Sequence, residues 1–332
     1  METRKLQKVG GSTYSVSLPK EWATDHHLEA GMPIHLYPHA DGSLVVRSVE
    51  QDGGPLASTE VRLPRVDDDA IRCSLAAAYA VGYDAVTLVA PDGASFDGDD
   101  YRLVRRLTES TLGLSVVEED ADRITVESLL DASELSIRQS VTQLRFTALS
   151  MHRTAVDAFP DGDAADLDRR DDGADRLLGV VTRHLNRSLV DFGEVDRLDV
   201  PRTSLFDHYL TARELERVAD HAVRIGSLAA RVDDPPPADV LDEVDALADA
   251  SRAVVETATK AILDGSRDDA HEALIRRDRV LDDLDAFDTA LLERSPPAGY
   301  VLSRVVSTLA RTAECGGTVA TVALRSSARP DD

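Results

Sequence analysis

The sequence predicts a mainly α-helical protein, in which a small β-rich module and a small α/β module precede a long helical region. Three observations carry that prediction. Six helical stretches can be read at 133–157, 164–191, 200–231, 237–264, 267–294 and 298–326. Within them apolar residues recur on one face, as at Val280, Leu284, Phe287 and Leu291, spaced four, three and four apart. The breaks hold residues that stop or start helices: Pro160-Asp161-Gly162, Pro201, Pro235-Pro236-Pro237, Asp264-Gly265-Ser266 and Ser295-Pro296-Pro297. The two halves also read as a repeat. Asp171-Asp172-Gly173-Ala174-Asp175-Arg176-Leu177 corresponds to Asp278-Arg279-Val280-Leu281-Asp282-Asp283-Leu284. Leu215-Glu216-Arg217-Val218-Ala219-Asp220-His221-Ala222 corresponds to Leu309-Ala310-Arg311-Thr312-Ala313-Glu314-Cys315-Gly316. The expected architecture is two tandem three-helix bundles over 133–328, after modules at 1–54 and 55–132.

Composition narrows the setting. Apolar residues make up 42% of the 332, enough for sizeable cores. No run of about 18 apolar residues offers a membrane span. Met1-Glu2-Thr3-Arg4-Lys5 leads into no apolar stretch, so it is not a signal peptide, and a cytoplasmic protein is expected. Cys73 and Cys315, far apart in sequence, read as buried thiols rather than a disulfide or a metal pair. The net charge is −24 and the pI about 4.7. Of 37 basic residues only Lys5, Lys8, Lys20 and Lys260 are lysine. Abundant acid with scarce lysine resembles proteins of high-salt cytoplasms, where surface charge maintains solubility. Three of the four lysines fall in the first 20 residues, against the trend of the chain.

In the first module Tyr14-Ser15-Val16-Ser17-Leu18 alternates as a half-buried strand does. Pro19-Lys20-Glu21-Trp22 starts a short helix, because proline is tolerated in a first turn. Strands follow at Ile34–Tyr37 and Ser43–Arg47, joined by the turn His39-Ala40-Asp41-Gly42. About 50 residues bury an independent core poorly, so a homodimer is expected. Gln51-Asp52-Gly53-Gly54-Pro55 reads as a linker. Beyond it, Glu60–Leu63 can form a strand, and Asp67-Asp68-Asp69 places acid at the N-terminus of a helix that Gly82 ends. Asp84–Val89 is a strand, Tyr101–Leu112 a helix ending at Gly113, and Leu114–Glu118 and Arg123–Glu127 are strands. This β-α-β-α-β-β order has no glycine-rich phosphate loop and reads as a spacer or a ligand-sensing insert.

Lys8-Val9-Gly10-Gly11-Ser12, Val16-Ser17-Leu18-Pro19-Lys20-Glu21-Trp22 and Leu28-Glu29-Ala30-Gly31-Met32-Pro33-Ile34 resemble the SpoVT/AbrB family of swapped-hairpin DNA-binding domains. The resemblance covers about one sixth of the chain. It implies two interleaved chains and DNA contact through basic residues near the N-terminus, here Arg4, Lys5, Lys8 and Lys20. Such residues neutralise phosphates and release counterions, a drive that weakens in molar salt. A dimerisation or docking module without DNA contact is the other reading of the same residues.

In the helical region Glu216 and Asp220 stand four apart, which puts both carboxylates on one helix face, roughly 6 Å apart at Cβ. Leu215, Val218, Ala222 and Ile225 mark a neighbouring apolar face. Asp171 and Asp175 form a matching acidic pair. If the two helices lie side by side, four carboxylates converge and repel unless a cation or basic side chains neutralise them. Acidic pairs at helical spacing also arise as solvated faces in a chain this acidic, and Arg170, Arg217 or Arg277 could stand in for a cation.

These helical segments, Leu215-Glu216-Arg217-Val218-Ala219-Asp220-His221-Ala222 above all, resemble the PhoU family, regulators that partner the high-affinity phosphate transporter. The resemblance covers about 190 residues, and with the AbrB-like module the chain looks like an archaeal PhoU-type regulator. In that family an acidic i, i+4 pair on each of two adjacent helices binds a metal cluster. The resemblance therefore implies a first site at Asp171, Asp175, Glu216 and Asp220, and a second at Asp278, Asp282 and Glu314. Ala310 stands where the second site should have glutamate, so one ligand is lost there. Oxygen ligands suit hard cations: Mg²⁺, Mn²⁺, Ca²⁺ or ferric iron. His221 lies about 100° round the helix from Asp220 and reads as a packing or surface residue.

No nucleophile motif, assignable triad or phosphate loop accompanies the carboxylates, and Gly316-Gly317 reads as a close helix-packing spot, so an enzyme is not expected. The function implied is regulation of phosphate uptake, with metal bound by the helices and a phosphate ABC-transporter ATPase or an associated signalling protein as partner. The other reading is a protein-interaction adaptor in which the AbrB-like module only pairs chains.

Overall fold

Glycine turns and a preset proline shape the beginning of the chain. β1 (Gln7–Val9) pairs antiparallel with β2 (Thr13–Ser15), and Gly10 supplies the positive φ of 67° that the turn requires. Pro19, at φ −59°, leads into α1 (Lys20–Asp25). β3 (His35–Pro38) then pairs antiparallel with β4 (Leu44–Arg47). β2 is shorter than the strand expected over Tyr14–Leu18, because the chain leaves the ladder before Pro19. The computed structural model describes residues 3–11, 13–38, 42, 44–48, 56–159, 166–232 and 234–329. The turn at His39-Ala40-Asp41, the linker Gln51–Pro55 and the break Pro160-Asp161-Gly162 lie outside the described residues.

Contacts divide the chain into two units, Met1–Gly54 and Pro55–Asp332. Among the described residues of the first unit none is buried. Leu6, Val9, Tyr14, Val16, Met32, Ile34, Leu36 and Leu44 are all exposed there. Its described residues by themselves form no hydrophobic core.

The second unit begins with the α/β module in the expected element order. It runs β5 (Ser58–Arg62), α2 (Asp68–Val81), β6 (Ala85–Val89), α3 (Gly98–Ser110), β7 (Leu114–Glu119) and β8 (Arg123–Ser128). The sheet order is β5-β6-β8-β7; β5 and β6 are parallel and the other pairs antiparallel. The Asp67 carboxylate accepts the Ala70 N–H at 2.8 Å, and Gly82, at φ 107°, ends α2 in the left-handed region that favours glycine. α3 ends at Ser110, two residues earlier than expected, with Thr111 as its cap. Leu63, Ile71, Leu75, Leu88, Leu103, Val104 and Ile124 form the core of this module.

After a 3-10 turn at Ala132–Glu134 come the long helices α4 (Ile137–Asp157) and α5 (Leu167–Val190), a short α6 (Phe192–Leu198), and α7 (Arg202–Ala229). The chain continues with α8 (Ala238–Asp264), α9 (Arg267–Arg294) and α10 (Gly299–Ser327). The six predicted stretches all appear. α6 was not predicted; seven residues are too few for a helical period to show. α4, α5 and α7 pack on one another, as do α8, α9 and α10, and α7 also lies along α10. One hydrophobic core runs through both sets, with Leu215, Val218, Ala222 and Ile225 of α7 and Leu302, Val305 and Leu309 of α10 fully enclosed. Burying a side chain of that size stabilises the fold by about 1.5–3 kcal/mol. The boundary expected at 132 separates two cores but not two compact units.

Cys315 is buried as expected, but Cys73 is exposed on α2, whose buried face is carried by Ile71, Leu75 and Ala78 instead. Gly316 is a close-packing spot: a Cβ there would stand 2.8 Å from Val254 Cγ1 and 2.9 Å from the Val255 backbone nitrogen. Gly316→Ala should therefore force α10 away from α8 and cost about 1–3 kcal/mol in chemical denaturation. Gly98→Ala, where a Cβ meets nothing within 4 Å, should stay within about 0.5 kcal/mol of the wild type.

Candidate functional site

The apolar seam between α5 and α7 determines where the acidic side chains fall. Ala174 and Val181 on α5 and Leu215, Val218 and Ala219 on α7 are buried in one core, so the residues flanking them are turned toward each other. Asp171 and Glu216 are half-buried; Asp175 and Asp220 are exposed. Burial, then the charges of Asp175 and Asp220, push the Asp171 carboxyl up to about 6. Burial, then Asp220, Asp175 and Asp171, push Glu216 up to about 7. Asp175 is raised by burial, by Asp220 and by Asp172. The four residues named from sequence thus share one electrostatic field. The Asp171 Oδ1 is buried with no hydrogen-bond partner among the described residues.

The arginines that might have neutralised this group are engaged elsewhere. Arg217 donates to Glu214 at 3.1 Å, and Arg170 donates to the Thr154 hydroxyl at 3.2 Å. Arg213 alone among the causes named lowers Glu216, and it acts less than any of the three carboxylates. An orphaned buried carboxylate oxygen among mutually repelling acids is a donor set suited to a hard cation. Among the described residues, however, no three His, Cys, Asp or Glu side chains stand in an arrangement that could hold a metal ion as placed.

His221 is buried, and its Nδ1 lies 3.1 Å from the Thr312 hydroxyl of α10. Burial, with Arg217, Arg311 and Arg224, holds its pKa down at about 4, so it packs in neutral form between α7 and α10. Asp278, Asp282 and Glu314 are all exposed, and Asp278 pairs with Arg277 at 2.5 Å. In the first unit Arg4 and Lys5 precede β1, Lys8 lies on β1 opposite Tyr14, and Lys20 opens α1; all four are exposed.

The C-terminal half of α5 makes a second polar centre that the sequence reading missed. Arg183, 1% exposed, donates to the Tyr79 carbonyl at 3.1 Å and to Asp84 at 3.3 Å. Asn186 donates to the Ala80 carbonyl at 2.8 Å, and Arg187 to the Gly82 carbonyl at 2.6 Å. These groups satisfy the last carbonyls of α2, where the helix dipole also favours positive charge. Glu194 of α6 is buried and accepts from Arg187 at 3.2 Å, from Arg197 at 2.9 Å and from His184 Nδ1. Burial alone would raise its pKa, but His184, Arg197 and Arg187 outweigh it and hold the carboxyl at about 2. A sequence signal existed: Arg183, His184 and Arg187 cluster on one helix of a chain with net charge −24.

Residues 141–229, from α4 to the end of α7, match the family model of the PhoU domain. That segment holds all four residues of the first acidic group and supports a PhoU-type regulator. No curated protein matches the chain. No helix among the described residues is long and apolar enough to cross a membrane.

Since folding raises Glu216 from 4.5 to about 7, the native state holds more protons than the unfolded chain across that window, and stability falls as pH rises through it. In chelator at pH 8, Glu216→Gln should stabilise the protein by about 0.5 kcal/mol or more, the scale of one like-charge helical pair. The gain should vanish at pH 4, as thermal melts at the two pH values would show.

Proposed function

We propose that the chain is a regulator of phosphate uptake or homeostasis whose helices bind a hard metal ion and dock on phosphate-transport or signalling partners. The observation that carries this reading is a coincidence of place. The segment that matches the PhoU domain also holds the acids of α5 and α7 whose charges raise the Glu216 carboxyl. Asp171, Asp175, Glu216 and Asp220 would hold the ion, which would supply the positive charge that the group lacks. The tandem-bundle reading, with Asp278, Asp282 and Glu314 as a second and weaker site, belongs to the same proposal. The role is regulatory rather than catalytic.

The first unit would pair two chains and contact DNA through Arg4, Lys5, Lys8 and Lys20. Its exposed apolar residues support pairing, since a surface so rich in them is characteristic of an interface. The adaptor reading, in which the unit only pairs chains, draws on this same observation.

Three measurements test the proposal. Elemental analysis and melting of the chelated protein with added Mn²⁺ or Mg²⁺ should show bound metal and a raised Tm. Asp171→Asn with Glu216→Gln should lose both; wild-type metal content in that variant would overturn the site. Sedimentation should give a dimer for the full chain and a weakened one for Val9→Asp with Leu36→Asp. Gel shifts at molar KCl should show selective binding upstream of phosphate-transport genes, reduced by Arg4→Ala with Lys8→Ala. A dimer that binds no DNA, but whose helical region captures a transporter ATPase, would favour the adaptor.

A further inference from the structure

We propose that the cleft between the α/β module and the first half of α5 binds a free apolar amino acid, through its side chain and both of its charged groups. The cleft has a volume of about 350 Å³. That lies near the lower end of the range for ligand pockets and suits one small molecule. α2 forms one wall and α5 another, and the end of α3 and the start of β7 supply the rest.

The lining is mostly apolar, with Leu75, Tyr79, Leu107, Leu114 and Leu178 among its residues. Hydroxyls on the walls are spent on backbone carbonyls. Ser110 donates to Leu107 at 3.0 Å, Thr182 to Leu178 at 2.9 Å, and Tyr79 to Leu112 at 3.1 Å. A ligand body that seeks no hydrogen bonds is therefore favoured.

The polar chemistry left unspent is charge. Arg72 of α2 and Asp172, Asp175 and Arg176 of α5 line the same cleft. Among the described residues none of the four uses its side chain in a hydrogen bond or an ion pair. Two guanidinium groups balance two carboxylates. An anion or a cation alone would be attracted by one pair and repelled by the other. A zwitterion meets both, its carboxylate on a guanidinium and its ammonium on a carboxylate. Arg72 and Asp172 stand on different helices, so a ligand held by both spans the cleft from α2 to α5. Arg72, Asp172 and Asp175 are exposed, so each ion pair contributes little and the apolar body supplies the larger share of affinity. The α/β module then serves as a ligand-sensing insert rather than a spacer.

The test is calorimetric titration and thermal melting of the full chain with L-leucine and with L-phenylalanine. Chelator throughout keeps metal from the carboxylates of α5 and α7, so the result does not depend on the metal reading. At least one of the two amino acids should bind saturably, once per chain, and raise the Tm. Glycine, which has the charges without the apolar body, should bind at least about tenfold more weakly. The analogue of the binder without its ammonium (isocaproate or hydrocinnamate) should lose about fivefold, the scale of one exposed ion pair. So should the analogue without its carboxylate (isoamylamine or phenethylamine), and so should the ligand itself with Arg72→Ala and Arg176→Ala combined. Ala76→Phe, which fills the cleft from an exposed position on α2, should abolish binding. Circular dichroism checks the fold of both variants. Binding of neither amino acid, an analogue that binds as tightly as its parent, or wild-type affinity in Ala76→Phe or in the arginine variant would overturn the proposal.

Discussion

Side-by-side packing of α5 and α7 forces like charges together. Their apolar seam is enclosed in the main core, and its burial outweighs what the flanking carboxylates lose by meeting. The loss appears as acids pushed toward neutrality: Glu216 up to about 7 and Asp171 up to about 6. Acidity spread over a surface is solvated and weak in consequence. The same acidity gathered between two helices, with one oxygen buried and unpartnered, is a demand for positive charge. The arginines nearby spend their hydrogen bonds on Glu214 and Thr154 and leave that demand unmet.

α5 carries two opposite chemistries. Its first half bears Asp171 and Asp175, and its second half bears Arg183, Asn186 and Arg187, which grip the C-terminus of α2. The α/β module is thus fastened to the helix that holds half of the acidic group. About twelve residues, or some 18 Å of helix, separate the two.

Much of this was legible from spacing. Prolines and glycines marked the ends of the long helices, and Asp67 and Gly82 marked both ends of α2, because caps and left-handed turns demand particular residues. The i, i+4 pairs at Asp171/Asp175 and Glu216/Asp220 were visible for the same reason. The Arg183–His184–Glu194–Arg197 network was not, since it joins two separate elements and its carboxylate sits on a helix of seven residues. Cys73 was misread because a thiol does not declare which face of a helix it occupies. The two halves read as a repeat; Asp171 and Glu216 are half-buried, while Asp278, Asp282 and Glu314 lie exposed, as Asp175 and Asp220 do.

The chain by itself determined its elements: six long helices, an α/β module of stated order, and a β-rich start with too few residues for a core. These follow from local rules, because periodicity, caps and turn residues act over a few positions. Only the tertiary structure decided which acids are drawn partly into the core and which stay exposed, and which arginines are buried. Those outcomes depend on how whole faces dock, and charge burial is a property of the packed pair rather than of either helix.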